Sequence, residues 1–154
     1  MNESYFISTD KTLLNITWVH EYLANDSYWA QGRSLEMVEQ SIKHSLCFGV
    51  YKRLPDVGND QTNQQHGDSI IQCGFARLVT DYVTFGWLCD VFIDKSHRGK
   101  SLGKRLIRTI FSDQQLAPLK LSILATRDAH TLYRDHGDFR ALAESEKWMS
   151  RSSS

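Results

Sequence analysis

The chain has 154 residues, 41% of them hydrophobic and 23% charged, and its 18 basic and 18 acidic side chains cancel. One domain around one core is the expectation at this length, over residues 1–148, with 149–154 a disordered tail. A zero net charge argues against roles that need a positive field over the whole surface, so neither nucleic acid nor a membrane is expected as a partner.

Cys47, Cys73 and Cys89 are odd in number and widely spaced. That pattern spells neither a disulfide framework nor a metal-ligand pair, and the six histidines show no ligand spacing, so no metal is expected. The first residues lack the basic and then apolar pattern of a secretory signal, and no apolar run approaches the ~20 residues of a membrane helix. A reducing cytoplasm is the expected home.

In chain order, residues 5–7 read as an opening strand. Asp10 stands at the N-cap of a helix over 12–24, with Leu13, Ile16 and Leu23 at helical spacing. Tyr28, Trp29 and Arg33 lie in an aromatic loop, after which Ser34 caps a second helix with Leu35, Val38 and Ile42 on one face. Residues 46–51 are strand formers. Residues 53–68 are polar throughout and read as a long exposed loop, resembling an insertion. Strands follow at 70–80 and 83–93, joined by a turn at Asp81 and Tyr82, with a helix at 102–112 and a strand at 119–126. Asp128 is placed to cap a short helix over 129–136 that Gly137 ends, and a little more strand is expected after it. Hairpin strands first and a strand–helix–strand unit later predict a mixed sheet with helices on its faces.

The informative stretch runs from Asp90 to Leu106. A strand ends, a glycine-containing loop follows and a helix begins, a place where free backbone N–H groups suit an anionic oxygen. Residues 95–108 hold six Lys or Arg and no Asp or Glu. A solvated basic helix face accounts for the charge alone; Gly99 and Gly103 between strand and helix point to phosphate. Gly99-Lys100-Ser101 imitates the end of a P-loop, but Asp94 stands where that motif needs glycine, and no Gly-x-Gly-x-x-Gly opens a strand–helix–strand unit.

The sequence Arg98-Gly-Lys-Ser-Leu-Gly103 resembles the Arg/Gln-x-x-Gly-x-Gly/Ala motif of the GNAT N-acetyltransferase superfamily. The likeness extends upstream to Asp90, Val91, Phe92 and Ile93, and downstream to Leu132, Tyr133 and Gly137. It departs at Ser101, where the family usually has glycine and where ordinary helical angles are expected for the serine. It departs again at Asp138, which intervenes before Phe139. The resemblance implies an α+β fold, a central, mixed, mostly antiparallel sheet splayed into a V and flanked by about four helices. It implies an acetyl-CoA-dependent N-acetyltransferase acting by direct attack of a primary amine in a ternary complex. Pantetheine would pair with the main chain of Val91, Phe92 and Ile93. The pyrophosphate would sit on amides from Gly99 through Lys100, Ser101, Leu102 and Gly103 to Lys104, with charge from Arg98 and Lys100. Thr126 is placed on the cofactor side.

Tyr133 matches the family's tyrosine that protonates the departing thiolate; alone, its spacing is also that of a core tyrosine. Asp90 sits in an apolar strand, with Gly86, Leu88 and Phe92 assigned to its side, and a carboxylate there is costly unless paired or useful. It would accept the amine proton through water, anchor the ammonium, or be a buried acid held by backbone donors. Tyr28, Trp29 and Arg33 fall where the family shapes the acceptor pocket, or else pack the helix pair. Cys89 with His130 or His136 is weighed as a thiol nucleophile and set aside, since cysteine is commonly a small buried hydrophobe. The acceptor is a small-molecule or peptide amine of open identity, and a homodimer is common among similar proteins. Two other readings are a non-catalytic acyl-CoA-binding or interaction module on the same fold, and a small phosphotransferase using Gly99-Lys-Ser101.

Overall fold

The computed structural model describes residues 4–55 and 69–153. Most of the polar stretch 53–68 lies outside the described residues; its base is closed by Leu54, whose N–H donates to the Ser69 carbonyl at 2.8 Å. Strands β1 (Tyr5–Ser8), β2 (Leu46–Arg53), β3 (Ile70–Thr80), β4 (Phe85–Ile93) and β5 (Leu121–Leu124) form one sheet in the order β1-β2-β3-β4-β5. The first four pair antiparallel, and β5 joins β4 in parallel. Four α-helices accompany the sheet: α1 (Ile16–Glu21), α2 (Leu35–Lys43), α3 (Leu102–Phe111) and α4 (His130–Gly137).

Helices on both faces make two cores. That is why the middles of β2 and β3 are buried without alternation. On one face Phe48, Ala76 and Leu78 meet the α3 stripe of Leu102, Leu106, Ile107 and Ile110. On the other, Cys47, Phe75 and Phe92 meet Val19 and Leu23 near α1 and Val38 and Ile42 of α2. The β3–β4 turn is set by Asp81, whose carboxylate accepts the N–H groups of Val83, Thr84 and Phe85. Among the described residues no helix is long and apolar enough to cross a membrane.

Several local expectations change. Asp10 caps only a single 3-10 turn, Lys11–Leu13; Asn15 caps α1 through the Trp18 N–H, and α1 widens into a π turn, Tyr22–Asp26. A new cap inside 12–24 interrupts what periodicity reads as one helix. Ser34 does cap α2, accepting from the Met37 N–H. At α4 the entry turn is held by Thr126, whose Oγ1 accepts the Ala129 N–H, not by Asp128. At the other end of α4 the left-handed residue is Asp138 (φ 57°). Gly137 is the last helical residue, and a Cβ there would stand 2.9 Å from Ile107 Cγ2. Strand β5 is shorter than 119–126, and no strand follows α4 among the described residues. Instead Phe139 packs edge-on against Phe111 and Tyr133, and Trp148 stacks near Phe85.

Candidate active site

The site lies where β4 and β5 part. Their pairing runs from Phe85–Leu121 to Leu88–Leu124 and ends there, while β4 continues to Ile93. A β-bulge falls just past that point. Phe75 pairs with Phe92 and Arg77 with Cys89, so Asp90 and Val91 together oppose Ala76. Asp90 takes φ +53°, a left-handed angle that Asp tolerates better than most residues.

The bulge changes which face each side chain reaches. Leu88 belongs to the core under α3, yet Phe92, four residues on, belongs to the core under α1 and α2. Strict alternation, which put Gly86, Leu88, Asp90 and Phe92 on one side, therefore fails at Asp90. A one-residue insertion reverses every later position.

Past the split, two spaces bear on the site, and a third beside α4 also reaches Tyr133. The first is a groove of about 580 Å³ between the end of β4 and the start of α3. Val91, Phe92, Ile93, Arg98, Gly99, Ser101, Leu102, Gly103 and Lys104 all line it; Lys100 and Thr126 do not. The approach to α3 needs two left-handed residues, Gly99 (φ 76°) and Ser101 (φ 60°, ψ 20°). The helical angles expected for Ser101 are thus not found; the turn imposes an angle that glycine would take without strain. The first helical carbonyl, that of Ser101, accepts from Arg105 N–H at 3.0 Å. The amides of Leu102, Gly103 and Lys104 are consequently the free first-turn donors. Two of the basic side chains are structural ties: Arg98 donates to the Ile93 carbonyl and the Tyr22 hydroxyl, and Arg105 to the Tyr5 carbonyl.

The second space is a cavity of about 430 Å³ walled by the loop before α2, the middles of β3 and β4, and residues 125–129. Asp90, 4% exposed, is its electrostatic centre. One carboxylate oxygen accepts Trp29 Nε1–H at 2.9 Å; the other accepts Arg33 Nη1 at 2.9 Å and Arg77 Nε at 2.8 Å. The acid is held, but by side chains rather than by the backbone donors considered from sequence. Arg77 is itself buried and also donates to Ser45 Oγ at 3.0 Å. Tyr28 ties the loop before α2 to the segment after β5: its hydroxyl accepts the Arg127 N–H at 3.0 Å, and the Arg127 guanidinium lies 3.9 Å from its ring centroid. All three residues of the aromatic loop singled out from sequence line this cavity.

Groove and cavity share Val91, Ala129 and Tyr133. Tyr133 is nearly buried, and among the described residues its hydroxyl has no hydrogen-bond partner. Burial, with a smaller contribution from nearby Tyr28, pushes its phenol up to about 12. Burial likewise pushes the Cys89 thiol up to about 12, which removes the thiolate a nucleophile requires. His130 lines a separate cavity outside β5, and neither it nor His136 is bonded to Cys89.

Arg77, Trp87 and Arg127 were not singled out from sequence. Arg77 carried a usable signal. It is a charge inside a run of six buried residues, and the hairpin turn at Asp81 fixes the register that sets it opposite Cys89, next to Asp90. Arg127 carried none, because its contact to Tyr28 spans 99 positions of chain.

The chain was compared with known proteins. The Acetyltransferase (GNAT) domain profile matches residues 62–137, which include the groove, Asp90 and Tyr133. A Gibberella zeae protein named as an acetyltransferase is 32% identical over 133 residues, covering 84% of this chain and 75% of that one. A crystal structure from Xanthomonas campestris, described as a GNAT-family acetyltransferase, superposes with a TM-score of 0.80 at 35% identity, over 97% of this chain and 93% of that one. A Deinococcus radiodurans structure (TM-score 0.64, 16% identity, 98% and 91% covered) shares the fold. Profile, relative and architecture converge: the chain belongs to the GNAT family of acetyltransferases.

Proposed function

We propose that the chain transfers the acetyl group of acetyl-CoA to a primary amine by direct attack in a ternary complex. The observation that carries this reading is the junction at Tyr133, where a groove lined by free helix-start amides meets an acceptor-sized cavity. The diphosphate of the co-substrate rests on the amides of Leu102, Gly103 and Lys104, which suit anionic oxygens. The pantetheine arm follows Val91 to Ile93, on the side of β4 that β5 has left.

The neutral amine nitrogen attacks the thioester carbonyl carbon, and its proton leaves to water. The oxyanion is met by a backbone N–H that the bulge at Asp90 and Val91 frees from the ladder. The C–S bond then breaks, the carbonyl re-forms, and the leaving thiolate accepts a hydrogen bond before it takes a proton from water. Tyr133 is the donor to that sulfur. A phenol at about 12 against a thiol near ~8.5 makes complete transfer uphill by roughly 5 kcal/mol at ~1.36 per pKa unit. Tyr133 therefore acts chiefly by hydrogen bonding to the developing thiolate. Asp90, committed to three donors, anchors the site and does not serve as the base.

The test is thiol release from acetyl-CoA against a panel of primary amines, with calorimetric titration of CoA alongside. Amine-dependent release with CoA binding supports the reading. CoA binding without release by any amine turns the chain into a non-catalytic acyl-CoA-binding module, and no CoA binding at low salt removes both.

A further inference from the structure

We propose that the acceptor is an amine that also carries a carboxylate on an apolar or aromatic body, and that Arg33 reads the carboxylate. This rests on the transfer reading above and narrows its substrate class.

The charges on the cavity wall do not balance. Arg33, Arg77 and Arg127 face Asp90 and Asp128. Both acids are already engaged: Asp90 by Arg33 and Arg77, and Asp128 by Arg127 at 3.4 Å. Asp90 has no oxygen to spare for a substrate ammonium, Asp128 is paired only loosely at the exposed rim, and the wall carries one cation in excess. Arg33 is where the excess is usable. It gives Nη1 to Asp90, its side chain is 21% exposed, and among the described residues Nε and Nη2 have no partner. A guanidinium with free N–H groups in a cavity wall matches a carboxylate in its planar fork.

The rest of the wall is largely aromatic and aliphatic. Tyr28, Trp29 and Trp87 are each between 39% and 45% exposed and line the cavity. Such surfaces cover a flat or branched apolar body. They also attract cations, but a cation seated there would face a wall with three guanidiniums against two carboxylates. A polyamine is therefore disfavoured.

Matched acceptors test this: phenylalanine against phenylalaninamide, with spermidine as a polycation. Each is measured by thiol release and by calorimetric binding to the protein–CoA complex. The native protein should prefer the carboxylate over the amide by at least about tenfold in kcat/KM, which is ~1.4 kcal/mol. Arg33→Gln should reduce that preference to within about twofold while the KM for acetyl-CoA stays unchanged. Arg33→Lys keeps the charge without the fork and should fall between them. Equal or better turnover of the amide or of spermidine overturns the inference while leaving acetyl transfer standing. Absence of thiol release with every amine overturns transfer itself; binding of phenylalanine that does not weaken in Arg33→Gln overturns the carboxylate reading independently.

Discussion

The groove and the cavity share Val91, Ala129 and Tyr133, yet they are built from different material. The groove is mostly one contiguous stretch, 91–104, working through backbone amides that any residue able to adopt the turn supplies. The cavity is assembled from side chains at positions 28–33, 77, 87–91 and 125–129, and its geometry depends on one buried carboxylate holding three donors. Substitutions in the groove should then alter binding with little effect on folding. Substitutions at the cavity's centre should damage the fold before the chemistry.

The largest test of that contrast is Asp90→Asn. Asn tolerates the left-handed angle, so the change isolates the charge. It leaves the guanidinium of Arg77, 8% exposed, without its counter-charge. A loss of about 3–5 kcal/mol is expected, on the order of 10 °C in Tm for a chain of this length. Thermal unfolding that is unchanged while activity disappears would recast Asp90 as a catalytic base.

Tyr133→Phe should behave in the opposite way. Among the described residues the hydroxyl has no hydrogen-bond partner, so stability and CoA affinity should hold within measurement while kcat falls by about 10²-fold or more. The active form is the protonated phenol, which persists below its raised value and is lost only as pH rises towards about 12. The pH profile of kcat in the native enzyme should accordingly show no alkaline fall below about pH 10; a fall near pH 8–9 would assign the proton to another group.

How much was legible follows the same division. The succession of strands and helices along the chain, the glycine-containing turn before α3, and Tyr133 lie in patterns a few residues wide, which periodicity and a short motif can convey; the left-handed angle at Ser101 was not among them. Asp90 was conspicuous as a charge in an apolar strand, but its role depends on Trp29, 61 positions away, and Arg33, 57 away. The bulge was invisible because period-two alternation contains no signal for one inserted residue. The helix expected over 12–24 failed for a related reason: the apolar spacing survives a break at Asn15, and only the side-chain cap marks it.

Gly103→Ala sharpens the groove's half of the contrast. A Cβ there would meet nothing nearer than Ile93 Cγ1 and Leu132 Cδ2 at 4.0 Å, so the protein accommodates it. In a helix, alanine is better than glycine by about 0.8–1 kcal/mol. The variant should melt roughly 2–4 °C higher. It should nonetheless bind CoA about tenfold more weakly, a cost of ~1.4 kcal/mol, because the methyl enters the space the ligand needs. A variant that is both more stable and equally tight would move the binding path away from the start of α3.

Ser101→Gly is the smallest change and separates backbone from side chain at the same turn. Ser101 holds φ 60° with no hydrogen bond from its hydroxyl to cap α3. A left-handed angle costs an L-residue roughly 1–2 kcal/mol, and glycine removes that strain. Glycine also frees the unfolded chain, which returns about 0.4–1 kcal/mol of the gain. The net is a stabilisation near ~0.5 kcal/mol, about 1–2 °C in Tm. CoA affinity should stay level, since the amides that face the ligand keep their positions. A marked loss of affinity would mean that the Ser101 hydroxyl itself contacts phosphate, and the groove would then recognise its ligand through a side chain as well as through the main chain.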